Sequence, residues 1–390
     1  MTGAASPERL AGSPPRSDAL GFYLHVPFCA ARCHYCSFNT APLEDGALAR
    51  YLAALHRELD LLAELPWAPR VRIATVFLGG GTPSLLEADQ LAAVLDRLRA
   101  RFDVAADAEV TVECNPESVT RAKLAGYRAA GVTRVSLGVQ SLDDAVLPRL
   151  GRLHDAGGAR AAFAAAREAG LANVSVDLMY GMPGLDVAGF ARAVEAVLAW
   201  GPEHLSAYGL TLDAGSLWGA AGVAGLPPED TVVGQYWALA RGAARRGLEH
   251  YEISNYARPG FRSLHNQVYW RAAEYLAAGP GACGFVGALR YANVKATPRY
   301  CEALEAGRLP VDSWEALTPR QRLGERLILG LRTSDGVPRA WLDERLAGDA
   351  ALARRVGDWR ARELLVDAAG RVRLTEAGFL LSDALFVDLL

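Results

Sequence analysis

Hydrophobic residues recur along this chain with two alternating periods. Leu48, Tyr51, Leu52, Leu55, Leu59 and Leu62 fall three or four apart, as do Leu91, Val94, Leu95, Leu98 and Phe102. That is the spacing of helices with one apolar face, and these stripes read as core. Between such stretches stand short β-type runs. The pattern predicts strands at 22–26, 73–78, 109–113, 134–139, 174–178 and 204–210, and helices at 47–64, 87–102, 119–130, 157–169 and 187–199. Six β-then-α units in succession argue for parallel strands joined by right-handed crossovers, either as an open doubly wound sheet or as a whole or partial barrel.

The faces of the strands choose between these. In "EVTVE", "RVSLGVQ" and "VSVDL", the apolar residues Val110 and Val112, Val135, Leu137 and Val139, and Val174, Val176 and Leu178 share one parity. Glu113, Gln140 and Asp177 point the other way. A doubly wound sheet is apolar on both faces. Polar residues on one face near strand C-termini instead indicate a barrel interior that opens onto a site. The expected fold class is therefore α/β, a partial (β/α)6-type barrel over 21–317. Beyond 318 the pattern changes to short helices at 318–331, 338–346 and 350–362, a strand pair in "LLVDAAGRVRLT" and a last helix. This predicts a small C-terminal α+β domain, winged-helix-like in outline, over 318–390. The opening "MTGAASPERLAGSPPRSDAL" is rich in Pro, Ala and Ser and has no apolar core, so residues 1–20 read as a disordered arm and not a secretory signal.

Composition narrows the function classes. With 390 residues, 51% of them hydrophobic, the chain can bury a large core. A net charge of −3 gives no electrostatic preference for nucleic acid or an anionic membrane. Residues 318–390 hold twelve Arg against eleven Asp or Glu, a net of +1 and too even for a DNA-reading face. No run of about eighteen uncharged apolar residues marks a membrane span. The six cysteines, three of them clustered and Cys114, Cys283 and Cys301 scattered, are not a disulfide framework. A reducing, cytoplasmic setting is expected.

The cluster lies in "GFYLHVPFCAARCHYCSFNT", residues 21–40, just after the first strand: Cys29, Cys33 and Cys36. Structural zinc requires four ligands, and His25 or His34 could complete a set. A [4Fe–4S] cluster takes one thiolate per iron, so three cysteines leave one iron open to an exchangeable ligand. After the second strand comes "FLGGGTP", residues 77–83, whose three glycines let the backbone approach a ligand and offer it amide N–H groups.

Together, "CAARCHYC" and the glycine loop resemble the radical S-adenosylmethionine (SAM) family. The resemblance implies a [4Fe–4S] cluster on Cys29, Cys33 and Cys36, with SAM chelated at the open iron and cleaved reductively to a radical. It also implies Tyr23 and Tyr35 packed against SAM, and Gly80, Gly81 and Thr82 at its methionine part. Further SAM contacts are implied for Glu113, Gln140, Arg152 and Asp177, in "VECNP", "GVQSL", "LGRLH" and "VDLMYGMP". An electron donor such as a flavodoxin or ferredoxin follows from the same resemblance.

From Tyr23 to its end the chain is similar to the oxygen-independent coproporphyrinogen III oxidase-like group of that family. The oxidase itself reads CxxxCxxCxC and has a longer N-terminal extension. Here Phe38 stands in place of the last cysteine and the segment before the first strand is short. Both favour the heme chaperone (HemW) branch, as do "HYEISNYARPG", "HNQVYW" and "RLTEAGFLLSDALF". That branch implies one heme and a heme-acceptor protein. Its HNxxYW element, here His265, Asn266, Tyr269 and Trp270, is associated with heme, with His265 as the candidate axial ligand. In "GPGACG", Cys283 replaces the histidine usual in the group, and reads either as a heme ligand or as a small buried residue. Cys114 and Cys301 read as inert core. Radical SAM methyl transfer and coproporphyrinogen oxidation are the competing activities, and no catalytic residue is readable for either.

Overall fold

The computed structural model describes residues 7–387 and 389. Its centre is a twelve-stranded sheet. The strands β1 (Ala19–Val26), β2 (Arg72–Gly80), β3 (Asp103–Cys114), β4 (Arg134–Gln140), β5 (Asn173–Tyr180) and β6 (His204–Gly209) lie side by side in chain order, all parallel. Between them run α1 (Ala47–Ala63), α2 (Ala88–Arg101), α3 (Arg121–Ala129), α4 (Ala156–Glu168) and α5 (Val187–Ala199), and α6 (Glu229–Arg245) follows β6. The six expected units are present, as the α/β barrel class requires.

The sheet also extends beyond them at both ends. Past β6 lie β7 (Glu249–Glu252) and β8 (Asn255–Ala257), with β8 antiparallel to β6. After α7 (Leu264–Trp270), β9 (Tyr275–Ala278) joins β1 as a seventh parallel strand. β10 (Cys283–Val286), β11 (Leu289–Asn293), α8 (Thr297–Glu305) and β12 (Val311–Ala316) follow, the strands antiparallel. The order is β12-β11-β10-β9-β1-β2-β3-β4-β5-β6-β8-β7, so the sheet does not close. It curls nevertheless, because residues at or just beyond the C-terminal ends of β1 to β6 line one cavity.

The parity of the strands explains the layering. Val110, Val112, Val135, Leu137, Val139, Val174, Val176 and Leu178 are buried in the main hydrophobic core, to which the helix stripes also belong. The opposite face, inside the curl, is also buried but polar: Thr111, Arg134, Ser136, Ser175, His204 and Ser206. One buried carboxylate ties the helical layer to the sheet. Glu58 of α1 accepts from Gly279 N (2.8 Å), Asn293 Nδ2 (2.6 Å) and Tyr300 OH (2.6 Å), and burial raises its carboxyl to about 7.

The last segment folds around a second hydrophobic cluster that includes Leu327, Leu331, Val356, Trp359, Val372 and Phe379. It contains α9 (Pro319–Leu331), β13 (Val337–Pro338), α10 (Arg339–Leu346), α11 (Ala350–Ala361), β14 (Leu365–Ala368), β15 (Arg371–Leu374) and α12 (Glu376–Leu380). The residues just after α9 run along β7: Ile253 N donates to Arg332 O (3.0 Å), Ser334 N donates to Tyr251 O (2.9 Å), and Glu252 and Thr333 form an antiparallel bridge. No helix among the described residues is long and apolar enough to cross a membrane.

The expected disordered arm is corrected where it is described. Residues 1–6 lie outside the described residues. Pro7–Ala11 is helical, and Leu10 is buried with its carbonyl accepting from Trp67 Nε1 (2.9 Å). The guanidinium of Arg9 stacks 3.6 Å from the ring centroid of Trp314, and β1 already begins at Ala19. Glu274 also accepts from Arg16 N (2.8 Å) and Ser17 N (2.9 Å), and anchors of this kind, lying mostly in the rest of the chain, do not show in a Pro- and Ala-rich composition.

Candidate functional site

β1 ends at Val26 and delivers the chain to the three cysteines. Phe28–Cys29 pairs in parallel with Ala41–Pro42, closing residues 30–40 into a loop. Neighbouring loops pin it. His34 N donates to Leu150 O (3.0 Å), Trp218 N to His34 O (2.9 Å) and Arg32 Nη2 to Gly215 O (2.9 Å). Asn39 Nδ2 donates to the carbonyls of Pro280 (2.9 Å) and Lys295 (3.0 Å).

All three thiols are free of disulfides and line a cavity of 360 Å³. Thr82 Oγ1 donates to Cys29 Sγ (3.5 Å) and Arg152 Nη1 to Cys33 Sγ (3.5 Å). Burial raises the thiols of Cys29 and Cys36 above their ordinary range, so binding a metal as thiolates releases protons. Of the imidazoles weighed as a fourth ligand, His25 has both ring nitrogens engaged and His34 has one. His25 bonds Tyr23 OH (2.9 Å) and Asn39 O (2.9 Å), while His34 Nδ1 bonds Arg149 O (2.8 Å). Among the described residues, no three His, Cys, Asp or Glu side chains converge as a single metal ion requires. Three thiols around one cavity without a fourth ligand suit a cubane, with a separate iron for each sulfur, better than tetrahedral zinc.

Facing the cysteines is the end of β2. Gly80 has φ +111°, and a Cβ there would lie 2.5 Å from the His25 ring; a Cβ on Gly81 would lie 2.5 Å from Phe28 O. Glycine is needed here to bring two backbones together. The loop's amides have partners within the protein. Gly81 N donates to Val26 O (2.7 Å), Thr82 N to Phe28 O (2.7 Å) and Gly80 N to Glu113 Oε2 (3.2 Å). Two of the donors carry β2 on along the end of β1 and the chain beyond it, and the third, Gly80 N, meets a carboxylate of the cavity.

Deeper in the cavity stand Glu113 and Asp177. Burial raises the Glu113 carboxyl to about 7, with the charge of Asp177 adding to the effect, and burial raises Asp177 as well. Ser136 Oγ donates to both oxygens of Asp177 (2.9 and 3.2 Å). Gln140 sits at a break in the β4–β5 register with φ +64°, a costly conformation for a residue with a side chain, and its buried Oε1 has no partner. Arg152 spans from Cys33 to Asn115 Oδ1 (2.8 Å) and Gly138 O (2.6 Å). Two carboxyls and an unmatched amide oxygen beside three thiols fit a cationic ligand that carries hydroxyl and ammonium groups. SAM is such a molecule.

The cavity thus brings together Cys29, Cys33, Cys36, Tyr35, Gly80, Gly81, Thr82, Glu113, Gln140, Arg152 and Asp177. Tyr23 is not among its lining residues. Cys283 lies outside it too, exposed at the start of β10 with Sγ 3.8 Å from Gly281 O. Asn115, Ser136, Met179 and Tyr208 line the cavity and were not anticipated. Ser136 shares the parity of Gln140, but a small hydroxyl there does not stand out from an ordinary strand residue; Asn115 gives no signal beyond standing next to Cys114.

His265 lies in the barrel floor, fully buried. Its Nδ1 pairs with Thr75 Oγ1 (2.9 Å), its Nε2 with Tyr269 OH (2.8 Å), and its ring stacks on Phe77 at 5.2 Å. Burial lowers its imidazole to about 3. With both nitrogens occupied and no open space beside the ring, this arrangement presents no ligand to an iron. A second chain of polar groups descends from Asp177. Ser175 Oγ donates to Asp177 Oδ1 (3.4 Å) and accepts from His204 Nδ1 (2.8 Å); His204 Nε2 accepts from Tyr251 OH (2.8 Å). Burial keeps His204 neutral, as this donor order requires.

The comparisons with known proteins agree with this geometry. Residues 23–197 match the radical SAM superfamily and residues 317–381 the HemN C-terminal domain. The chain is 40% identical over 376 residues to the heme chaperone HemW of Mycobacterium tuberculosis, covering 94% of this chain and 96% of the relative. It is 31% identical over 370 residues to the heme chaperone HemW of Bacillus subtilis, covering 93% and 97%. The solved coproporphyrinogen III oxidase HemN of Escherichia coli, described as a radical SAM enzyme, has the same fold, with a TM-score of 0.84, 22% identity and coverage of 99% and 93%. The family implies a [4Fe–4S] cluster and SAM. With its cysteine loop, its curled parallel sheet and near-complete alignment to two HemW proteins, the chain belongs to the HemW family of radical SAM proteins.

Proposed function

We propose that the chain is a heme chaperone: it carries a [4Fe–4S] cluster with SAM, binds one heme and hands it to an acceptor protein. The observation that carries this reading is similarity over 94% of the chain to a protein named as a heme chaperone. Phe38 supports it. This residue, 66% exposed, lines the mouth of the cavity where the oxidase pattern has a further cysteine.

In this reading Cys29, Cys33 and Cys36 hold the cluster, whose chemistry is one-electron reduction of a bound sulfonium. Arg152 and Thr82 donate to two of the sulfurs. Glu113, Asp177 and Gln140 take the cationic and hydroxyl groups of SAM, and Tyr35 packs beside them. A small electron carrier such as a flavodoxin or ferredoxin supplies the electron, in the cytoplasm. His265 is left out as iron ligand, because both its nitrogens are used within the barrel.

The test is a heme titration of anaerobically reconstituted protein alongside an iron count. Wild type should show a Soret change and about four irons per chain, as one cubane holds. His265→Ala should bind heme equally well and unfold at a lower denaturant concentration, because it opens a buried space and strands Thr75 and Tyr269. No Soret change in wild type ends the chaperone reading. Loss of heme by a folded His265→Ala protein restores the histidine as ligand.

A further inference from the structure

α7 divides its side chains between two places. His265 and Tyr269, four residues apart, enter the barrel floor. Trp270, and Arg271 just after the helix, line a separate cleft of 180 Å³ against the C-terminal segment, walled on the other side by Arg326 of α9, Trp341 of α10 and Arg371 of β15.

The cations of this cleft are not balanced. Arg262 is paired with Asp335 (3.0 Å) and Glu249 (3.4 Å). Arg371 donates only to the carbonyls of Asp335 and Gly336 (2.7 Å each), and Arg271 to the amide oxygen of Gln267 (2.7 Å). Arg326 lies 5.5 Å from the ring centroid of Trp341. Among the described residues none of the last three forms an ion pair with a carboxylate, in a chain whose net charge is −3. A second observation points to a ligand. The indole N–H of Trp270 is shut off from water and has no acceptor, which is rare for a buried donor.

Guanidinium groups without counter-ions, an unmatched indole N–H and two indole rings are the complement of carboxylates carried on a flat apolar body. We propose that this cleft grips the carboxylate side of a planar porphyrin, with Arg271 and Arg326 taking the carboxylates and Trp270 and Trp341 packing on the edge of the ring. The proposal rests on the chaperone reading and gives its heme a place. The cleft is smaller than the about 300–1,000 Å³ of pockets that enclose a drug-sized ligand. Most of the macrocycle therefore stands in solvent, where an acceptor can take hold of it. Its lining contains no His, Cys or Met, so the grip is on the periphery and not on the iron.

The experiment follows the Soret band during titration with heme, with metal-free protoporphyrin and with the protoporphyrin dimethyl ester, using wild type and Arg271→Ala/Arg326→Ala. Both arginines are exposed, so the variant should fold, which circular dichroism and the iron content check. Heme and protoporphyrin should bind wild type with similar affinity. The ester on wild type, and either acid on the variant, should bind at least tenfold more weakly. Equal binding by variant and wild type overturns the cleft and leaves the chaperone reading standing. So does binding of heme without binding of protoporphyrin, which would locate the affinity at the iron. Failure of wild type to bind either removes the chaperone reading and this proposal together.

Discussion

At the residue scale, the cavity takes its polarity from strands that end in a side chain of the wrong polarity for a core. Glu113 illustrates the cost and its use. Its carboxyl is raised to about 7 by burial and by Asp177, so near neutral pH it exists in both forms. SAM is a cation at its sulfonium and ammonium, and favours the carboxylate. Its affinity for the reconstituted protein should therefore rise as pH climbs from 6 to 8, and calorimetry in that range should find a flatter profile for Glu113→Gln. An unchanged slope in the variant would assign the titration to another group. Parity alone made Glu113, Gln140 and Asp177 legible in the sequence. It did not distinguish Ser136 or Ser175, because a small hydroxyl on an interior face is an ordinary strand residue until its carboxylate partner is seen. Nor could it show that the Tyr23 hydroxyl would be tied to His25.

At the element scale, long amphipathic helices and the strands between them were readable because their periods persist for several turns. β9 to β12 were not. They are four to six residues long, and so short a run repeats a period too few times to read. The glycine loop was found, and the structure adds that its amides have partners within the protein: Gly81 N bonds Val26 O at the end of β1 and Gly80 N bonds Glu113. Gly80→Ala forces a left-handed backbone onto a side chain and drives a Cβ into His25, whose Nε2 bonds the cluster loop at Asn39 O. It should cost more than the roughly 1–2 kcal/mol of a left-handed alanine and lower the iron bound per chain. Gly46→Ala, with φ +77° and open space around it, isolates the backbone part. Urea midpoints and iron counts for the two variants should separate; equal losses would mean that the packing against His25 contributes nothing.

Across the whole molecule, buried acids set the response to pH. Burial raises Glu58 and Glu113 to about 7 and Glu252 to about 8, against an unfolded value of 4.5. The folded protein keeps protons that the unfolded chain releases. The resulting stability is complete below pH 4.5 and is lost as pH rises through 7 and 8. For Glu58, a difference of that size corresponds to about 3 kcal/mol. The metal-free protein should melt at a lower temperature at pH 8.5 than at pH 6, and Glu58→Gln should narrow that gap. A gap of the same width in the variant would remove Glu58 from the account. The antiparallel bridge between Glu252 and Thr333 has one more consequence. The C-terminal segment covers the last strand of an open sheet, and an uncovered strand is a template for pairing with a foreign chain. A version ending at residue 317 should self-associate where the full chain does not, and light scattering at matched concentration would register it.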